Sequence, residues 1–210
     1  MRPSFLIVFI FLILSSCFDN ESATASLLVN GKLPILGERT YVDGDTVYHA
    51  IPDFKFQNQD GDTITNSTFA EQAYVVDFFF TSCPTICPKV KKQMLRIHEK
   101  YKTNPNLKLV SYTIDPKRDD VEHLSNYARN LGVDSKNWHF LTGDKWDLHG
   151  IAEDYFSVAI ENADAPGGFD HSGRLILVDK NRHIRSFCNG TEEKSVSGFM
   201  KDIELLLDKG

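Results

Sequence analysis

Residues 78–90 read FFFTSCPTICPKV, and this stretch decides how the chain around it folds. A nearly continuous apolar run over 73–80 precedes the two cysteines and is typical of a strand that is covered on both faces. Apolar residues then recur at helical spacing over 89–101. The pattern therefore predicts a buried strand, a loop with two cysteines, and a helix, in that order.

The proline that follows the second cysteine indicates where this helix begins. Pro88 is favourable at the first helical position, which makes Cys87 the expected cap and leaves Cys83 in the preceding loop. Both sulfurs should then lie near the positive end of the helix dipole, which lowers the pKa of a thiol. A thiolate either attacks a disulfide or binds a soft metal such as Cu(I), and the motif alone leaves both roles open.

The rest of the chain alternates short strands and helices around this stretch. Before it, the pattern predicts an edge hairpin over 32–48 and a second hairpin over 54–65. After it, the pattern predicts strands over 107–114 and 138–141, helices over 121–131 and 145–155, a hairpin formed by 174–179 and 184–187, and a last helix over 196–207. This order predicts an α/β fold, a thioredoxin-like mixed sheet flanked by helices with an added N-terminal β-hairpin.

A third metal ligand, if there is one, should be a histidine. Of the seven histidines, His98 and His183 are expected to be solvated, and His139 and His149 to pack among aromatic residues. His171 lies in a glycine-rich loop, 166–173, immediately before a predicted strand. In a thioredoxin-like core that loop lies beside the mouth of the cysteine-bearing helix, where a neutral imidazole can bind a metal. The adjacent Asp170 is a candidate to orient the imidazole of His171 without binding the metal itself.

Composition places the chain among soluble folded domains. It has 210 residues, of which 41% are hydrophobic and 25% charged, enough for one globular domain with an N-terminal extension. A formal net charge of −6 gives no sign of the basic face that nucleic acids require, so no nucleic-acid partner is expected. Four cysteines are also too few for a disulfide-stapled scaffold.

The N-terminal residues resemble a targeting signal. Residues 1–17 are MRPSFLIVFIFLILSSC, with an apolar core over 5–14 that is much shorter than the roughly twenty residues a spanning helix needs. Small residues before Cys17 resemble the lipobox of bacterial lipoproteins, in which the cysteine thiol carries the lipid. The alternative is an ordinary secretory signal. We predict a signal peptide over 1–17, a tether and edge segment over 18–45, and a thioredoxin-like copper-binding domain over 46–210, anchored to a membrane outside the cytoplasm on the periplasmic side.

Several stretches together resemble the SCO/SenC family of copper-binding proteins that support cytochrome c oxidase assembly. The matching stretches are IPDFKFQNQDG at 51–61, FFFTSCPTICPKV at 78–90, SYTIDPKRD at 111–119, WHFLTGD at 138–144 and DHSGRLILVDKN at 170–181. The resemblance implies that Cys83, Cys87 and His171 bind copper, as Cu(I), as Cu(II) or as both. It also implies that Asp115 influences metal loading or partner contact, although a helix cap is an equal alternative.

The chain departs from the family pattern in two places. The family usually has an aromatic-Asp-Gly-Thr motif where this chain has FCNGT at 187–191, which adds Cys188. That thiol is expected to be a small buried hydrophobic group, with a third redox or metal-handling sulfur as the minority interpretation. The loop before His171 is also short, which would weaken recognition of an oxidase partner.

Three functions remain open at this point. The first is a metallochaperone that receives copper from a donor and passes it to the copper-bearing subunit of cytochrome c oxidase. The second is a membrane-tethered thiol-disulfide oxidoreductase that cycles Cys83 and Cys87 between dithiol and disulfide. The third is a peroxidase on the same fold, which would leave the close cysteine pair and His171 unexplained.

Overall fold

The computed structural model describes residues 28–209 and is built around a five-stranded mixed sheet. The strands, in chain order, are β1 (Arg39–Val42), β2 (Asp45–Tyr48), β3 (Lys55–Gln57), β4 (Thr63–Thr65), β5 (Ala73–Phe79), β6 (Leu107–Thr113), β7 (Trp138–Leu141), β8 (Ala159–Glu161), β9 (Phe169–His171), β10 (Arg174–Val178) and β11 (Ile184–Asn189). The helices are α1 (Cys87–Tyr101), α2 (Val121–Leu131), α3 (Lys145–Asp154) and α4 (Glu193–Lys209), with short 3-10 turns at Asn66–Phe69 and Pro166–Gly168.

The central sheet has the strand order β11-β10-β5-β6-β7. β5, β6 and β7 are parallel, whereas β10 is antiparallel to both of its neighbours. All seven residues of β5 are buried, as expected for a strand that is covered on both faces. The thioredoxin-like mixed sheet that the sequence predicts is therefore confirmed, and four helices flank it.

The two predicted N-terminal hairpins are present as separate two-stranded sheets, β1-β2 and β3-β4. The first does not extend an edge of the central sheet, because its strands pair with each other alone. The chain before it already packs on the domain, since Leu33 is buried and the Leu36 amide donates to the carbonyl of Ile184 at 2.8 Å.

Two expectations about the N-terminal part lie wholly or partly beyond the reach of the structure. The signal peptide and Cys17 lie outside the described residues, and the boundary at 45–46 stays a prediction. Within 28–209, no helix is both long and apolar enough to cross a bilayer.

Sequence patterning missed the β8-β9 hairpin. Its strands are only three residues long, and the turn between them holds Pro166, Gly167 and Gly168, which the sequence presented as a loop. His171 is consequently the last residue of a strand, paired with Ala159, and not a free loop residue. Three residues are too few to show the alternation by which strands are recognised.

The start of α1 is one residue earlier than predicted. Ile86 is the cap, Cys87 is the first helical residue and Pro88 the second. None of the first four amides of a helix has an intrahelical acceptor, so a proline fits at more than one of these positions. Pro88 therefore limits the helix start to one turn and does not identify the cap.

A buried ion pair joins α1 to the sheet. The Lys91 ammonium donates to the Asp77 carboxylate of β5 at 2.7 Å and to the Ser111 hydroxyl of β6 at 2.8 Å. It also lies 3.9 Å from the centroid of the Phe79 ring, a cation–π contact. Burial lowers the pKa of Lys91, and the charge of Asp77 opposes that shift.

We expect Lys91→Met to lower the free energy of unfolding by about 3–5 kcal/mol, because the change leaves the carboxylate of Asp77 buried without its counter-ion. The double variant Lys91→Met/Asp77→Asn should recover most of this loss, since no charge is then stranded. Urea unfolding of the reduced protein measures both changes. The exposed neighbour Lys92→Met is the matched control and should shift stability by about 0.5 kcal/mol or less. Equal stability of Lys91→Met and the control would contradict this interpretation.

Candidate metal centre

The two cysteines lie at the carboxyl end of β5, where the chain turns into α1. Cys83 is in the connecting loop and Cys87 opens the helix, and both side chains are buried. The Cys87 amide donates to the Cys83 sulfur at 3.5 Å. The Cys83 sulfur also lies 3.8 Å from the Thr85 hydroxyl. The loop therefore folds its own donors around the first sulfur.

His171 approaches the cysteine pair from the β8-β9 hairpin. Its Nε2 atom lies 3.1 Å from the Cys87 sulfur and 3.8 Å from the Cys83 sulfur. The three potential ligand atoms all lie within 4.8 Å of one another. Among the described residues this is the one cluster of three or more histidine, cysteine or acidic side chains that can hold a metal ion.

The imidazole of His171 lies between the sulfurs and an aromatic ring. Its Nε2 faces the sulfurs, so Nδ1 faces away from them. The Phe80 ring lies against the imidazole edge to face, with centroids 5.3 Å apart. Asp170 points elsewhere, because its carboxylate accepts a hydrogen bond from the Asn162 amide at 2.6 Å. Its influence on His171 is therefore one of charge at a distance.

The two thiols differ in acidity, which corrects the expectation that both pKa values are lowered. Burial opposes ionisation of Cys83, but hydrogen bonds from Thr85 and Cys87 outweigh it and lower the pKa. Burial raises the pKa of the Cys87 thiol well above its usual range, and the neighbouring Cys83 adds to this effect. The helix terminus does not overcome burial at Cys87, because a low-dielectric environment disfavours the charged form.

Burial also lowers the pKa of His171, and the hydrogen bond with the Phe169 backbone opposes the shift. A histidine whose pKa is lowered stays neutral at neutral pH and keeps a lone pair for a metal. Two cysteine sulfurs and one neutral imidazole form a donor set that suits a soft ion such as Cu(I). The residues present therefore fit the copper that the resemblance implies.

Asp115 lies outside this cluster. Its carboxylate pairs with the Arg118 guanidinium, with Nε and Oδ2 3.6 Å apart. The helix that follows is capped by Asp120, whose carboxylate accepts from the His123 amide at 2.8 Å, so the capping alternative for Asp115 is wrong. Asp115 does line an open cleft together with Glu161 and Phe169 of the β8-β9 hairpin. Its influence on metal loading stays a prediction.

Sequence reasoning missed Asp119, which anchors the start of the cysteine loop. This fully buried carboxylate accepts hydrogen bonds from the Thr81 amide at 3.0 Å, from the Thr81 hydroxyl, and from the Thr113 hydroxyl at 2.6 Å. Thr113 is the last residue of β6, and Thr81 lies two residues after the end of β5, the adjacent parallel strand. A polar residue at the end of each of two buried strands was the available signal for this connection.

The remaining candidates divide between confirmed and corrected expectations. His98 is not solvated but buried, and its Nδ1 lies 3.1 Å from the Asn137 side-chain oxygen. His139 and His149 pack as predicted, the latter with Nε2 2.8 Å from the Ile114 carbonyl oxygen. Cys188 is buried, and burial raises the pKa of its thiol, which agrees with the role of a small hydrophobic residue.

Comparison of the sequence with known families and proteins finds extended similarity. Residues 43–207 match the family model described as SCO1/SenC. The SCO1 protein homolog of Bacillus subtilis is 26% identical over 162 residues, which cover 76% of this chain and 84% of that protein. The mitochondrial SCO2 homolog of Mus musculus is 32% identical over 160 residues, which cover 64% of this chain and 62% of that protein.

Solved structures with the same fold agree with this match. A SCO1/SenC family lipoprotein from Bacillus anthracis has a TM-score of 0.69 at 25% identity, covering 75% of this chain and 95% of that one. BsSco, a member of the Sco family of cytochrome c oxidase assembly proteins, has a TM-score of 0.67 at 26% identity, covering 77% and 95%. Arabidopsis thaliana ScoI, solved with copper bound, shares the fold with a TM-score of 0.61 at 24% identity, covering 74% and 99%.

The difference in thiol acidity predicts that Cys83 is alkylated before Cys87. Because the pKa of Cys83 is lowered and that of Cys87 raised, limiting iodoacetamide near neutral pH should label Cys83 first. The Cys83 rate should reach its plateau at a lower pH than that of an ordinary thiol. Peptide mass spectrometry of the reduced protein measures both rates, with the buried Cys188 as the unreactive reference. Faster labelling of Cys87 would contradict the assignment.

Proposed function

The chain belongs to the SCO1/SenC family, and from this premise we propose that it is an extracytoplasmic copper metallochaperone. Copper is its cargo, held by the sulfurs of Cys83 and Cys87 and by Nε2 of His171. The observation that carries the proposal is the convergence of these three atoms within 4.8 Å of one another. The proposed receiver is the dinuclear copper centre of cytochrome c oxidase.

The unequal thiols support an ordered uptake of copper. Cys83 ionises more readily, so it is the first sulfur available to an incoming Cu(I). Binding of the ion then makes the loss of the Cys87 proton favourable, because the metal compensates the charge that burial otherwise disfavours. Release runs in reverse: the thiol that holds its proton more tightly is the first to exchange with ligands of the receiver.

The relatives supply the coarser part of the proposal. BsSco is described as a cytochrome c oxidase assembly protein, and ScoI of Arabidopsis thaliana binds copper. The donor of copper to this chain, and the copper-bearing oxidase subunit as its receiver, are parts of the same proposal. So are the periplasmic placement and the lipid anchor, and the relative from Bacillus anthracis is described as a lipoprotein.

A thiol-disulfide oxidoreductase is the second candidate. Cys83 and Cys87 are both free thiols in this structure, and BsSco is described as having a disulfide switch. Oxidation of the pair would release two electrons and two protons to a substrate disulfide, with Cys83 as the attacking thiolate. In that role the nitrogen of His171 is not a required ligand, and this difference separates the two candidates.

We expect the reduced protein to retain one Cu(I) with two sulfur ligands and one nitrogen ligand. Replacing a group that only orients a metal ligand weakens metal binding about tenfold to a hundredfold. His171→Ala removes the ligand nitrogen itself, so it should weaken copper binding by at least about tenfold. Metal analysis and X-ray absorption measure stoichiometry and ligands, and the exposed His123→Ala is the matched control. A variant His171→Ala that holds copper like wild type would overturn the proposal. Disulfide exchange left intact in that variant would favour the oxidoreductase.

A membrane anchor at Cys17 is tested separately. Replacement Cys17→Ser should remove the lipid, so the protein should move from the membrane fraction to the soluble fraction, because a short tether without an acyl chain has little membrane affinity. Fractionation with mass measurement of the N-terminal peptide detects the change. Cys188→Ser serves as the control for loss of a thiol elsewhere. Retention of Cys17→Ser in membranes would favour an uncleaved signal over a lipid anchor.

A further inference from the structure

The hairpin that carries His171 is not part of the central sheet. Among residues 28–209, β8 and β9 pair only with each other, so no strand-to-strand hydrogen bond fixes them to β5 or β10. At the base of the hairpin, Ser157 and Ser172 are joined by their hydroxyls at 2.7 Å. Nearer its tip, Lys145 pairs with the exposed Glu161, an ion pair that contributes little at a solvated position. The turn of the hairpin makes a further contact, on the side of the cysteine loop.

That contact is made by Phe80. Its ring is buried and lies 5.1 Å, centroid to centroid, from the ring of Phe169 and 5.3 Å from that of His171. Phe80 directly follows β5 and precedes Cys83 by three residues. One ring therefore touches the hairpin on one side and belongs to the segment that presents the first sulfur.

The approach of the hairpin to this ring depends on a missing side chain. A Cβ on Gly167 would lie 2.7 Å and 2.8 Å from two atoms of the Phe80 ring and 3.3 Å from Cδ of Pro84, distances that force atoms apart. Gly167 has φ of +80°, in the left-handed region that favours glycine. Gly168 has φ of +88°, but a Cβ there would meet no atom within 4 Å.

We propose that Gly167 is a positioning residue, which seats the β8-β9 hairpin on Phe80 and Pro84 and thereby sets His171 against the two sulfurs. The inference rests on the proposed function, because its consequence is a third copper ligand at the base of a small hairpin whose turn is held by packing on Phe80. The three atoms nearest to a Cβ at Gly167 belong to Phe80 and Pro84, and not to a candidate ligand. The effect of Gly167 passes through Phe80, which contacts the imidazole, and through Pro84, which lies in the cysteine loop.

The adjacent glycine provides a matched test. Gly167→Ala and Gly168→Ala impose the same unfavourable left-handed backbone on alanine, but only the first also drives a Cβ into Phe80. Nuclear Overhauser contacts between the Phe80 and His171 rings report the seat of the hairpin in the reduced, copper-free protein. Cu(I) affinity is measured by competition with a chromophoric chelator, and thermal melting establishes that each variant is folded.

We expect Gly167→Ala to lose the contacts between the two rings and to bind Cu(I) about tenfold to a hundredfold more weakly, the cost of disturbing what orients a metal ligand. Gly168→Ala should keep the contacts and bind like wild type. In a Phe80→Leu background, where the colliding ring atoms are absent, the Gly167→Ala change should add no more loss than Gly168→Ala does. This non-additivity identifies Phe80 as the group through which Gly167 acts.

Three outcomes decide the matter. Equal losses in the two glycine variants, or intact ring contacts in Gly167→Ala, would overturn the positioning role while copper binding by wild type still stands. Loss of the ring contacts in Gly167→Ala, with the contacts kept in Gly168→Ala, would support the positioning role. Failure of the wild-type protein to bind copper would contradict the metallochaperone proposal but not the positioning role. Additive losses in the Phe80→Leu background would overturn the assignment of the effect to Phe80 and would leave Pro84 as the contact that Gly167 requires.

Discussion

The burial of β5 on both faces is the constraint from which the rest of the structure follows. A strand with apolar side chains on both sides must be covered on both faces, and its end must deliver the chain to one edge of the sheet. At that edge the carboxylate of Asp119 accepts hydrogen bonds from Thr81 and Thr113. These bonds fix the point at which the loop with Cys83 leaves the sheet. The cysteine pair therefore directly follows a strand that is buried along its whole length.

The site combines two kinds of support that differ in firmness. Cys83 and Cys87 lie on a loop and helix joined directly to the buried strand, whereas His171 lies on a three-residue strand outside the central sheet. In the proposed site, the sulfurs would come from segments that continue the central sheet, whereas the nitrogen would come from a separate hairpin that packs on Phe80. Such an arrangement would suit a carrier better than a permanent metal site.

The two thiols also differ in pKa, because their electrostatic environments differ. Hydrogen bonds from its own loop favour the thiolate of Cys83, whereas burial disfavours that of Cys87. A site with two equally stabilised thiolates would hold a soft cation tightly but release it slowly. A site with one thiol of lowered pKa and one of raised pKa would bind the cation in steps. The ligands of a receiver could then replace the two sulfurs one at a time. Lys91, one helical turn beyond Cys87 in α1, is paired with Asp77 of β5, so its charge is compensated within the core.

Local patterns in the sequence determined most of the fold and the identity of the candidate ligands. The apolar run over 73–80, the helical spacing after Pro88 and the strand–helix alternation predicted the central sheet, because these signals depend on near neighbours alone. The β8-β9 hairpin escaped prediction because its strands are too short to show a period, and His98 because its partner Asn137 is distant in the chain. Only the tertiary structure decided which thiol has the lower pKa, which groups pack against His171, and which atoms a side chain at position 167 would meet. Each of these depends on burial and on contacts between segments far apart in sequence, and such distances are set when the chain packs.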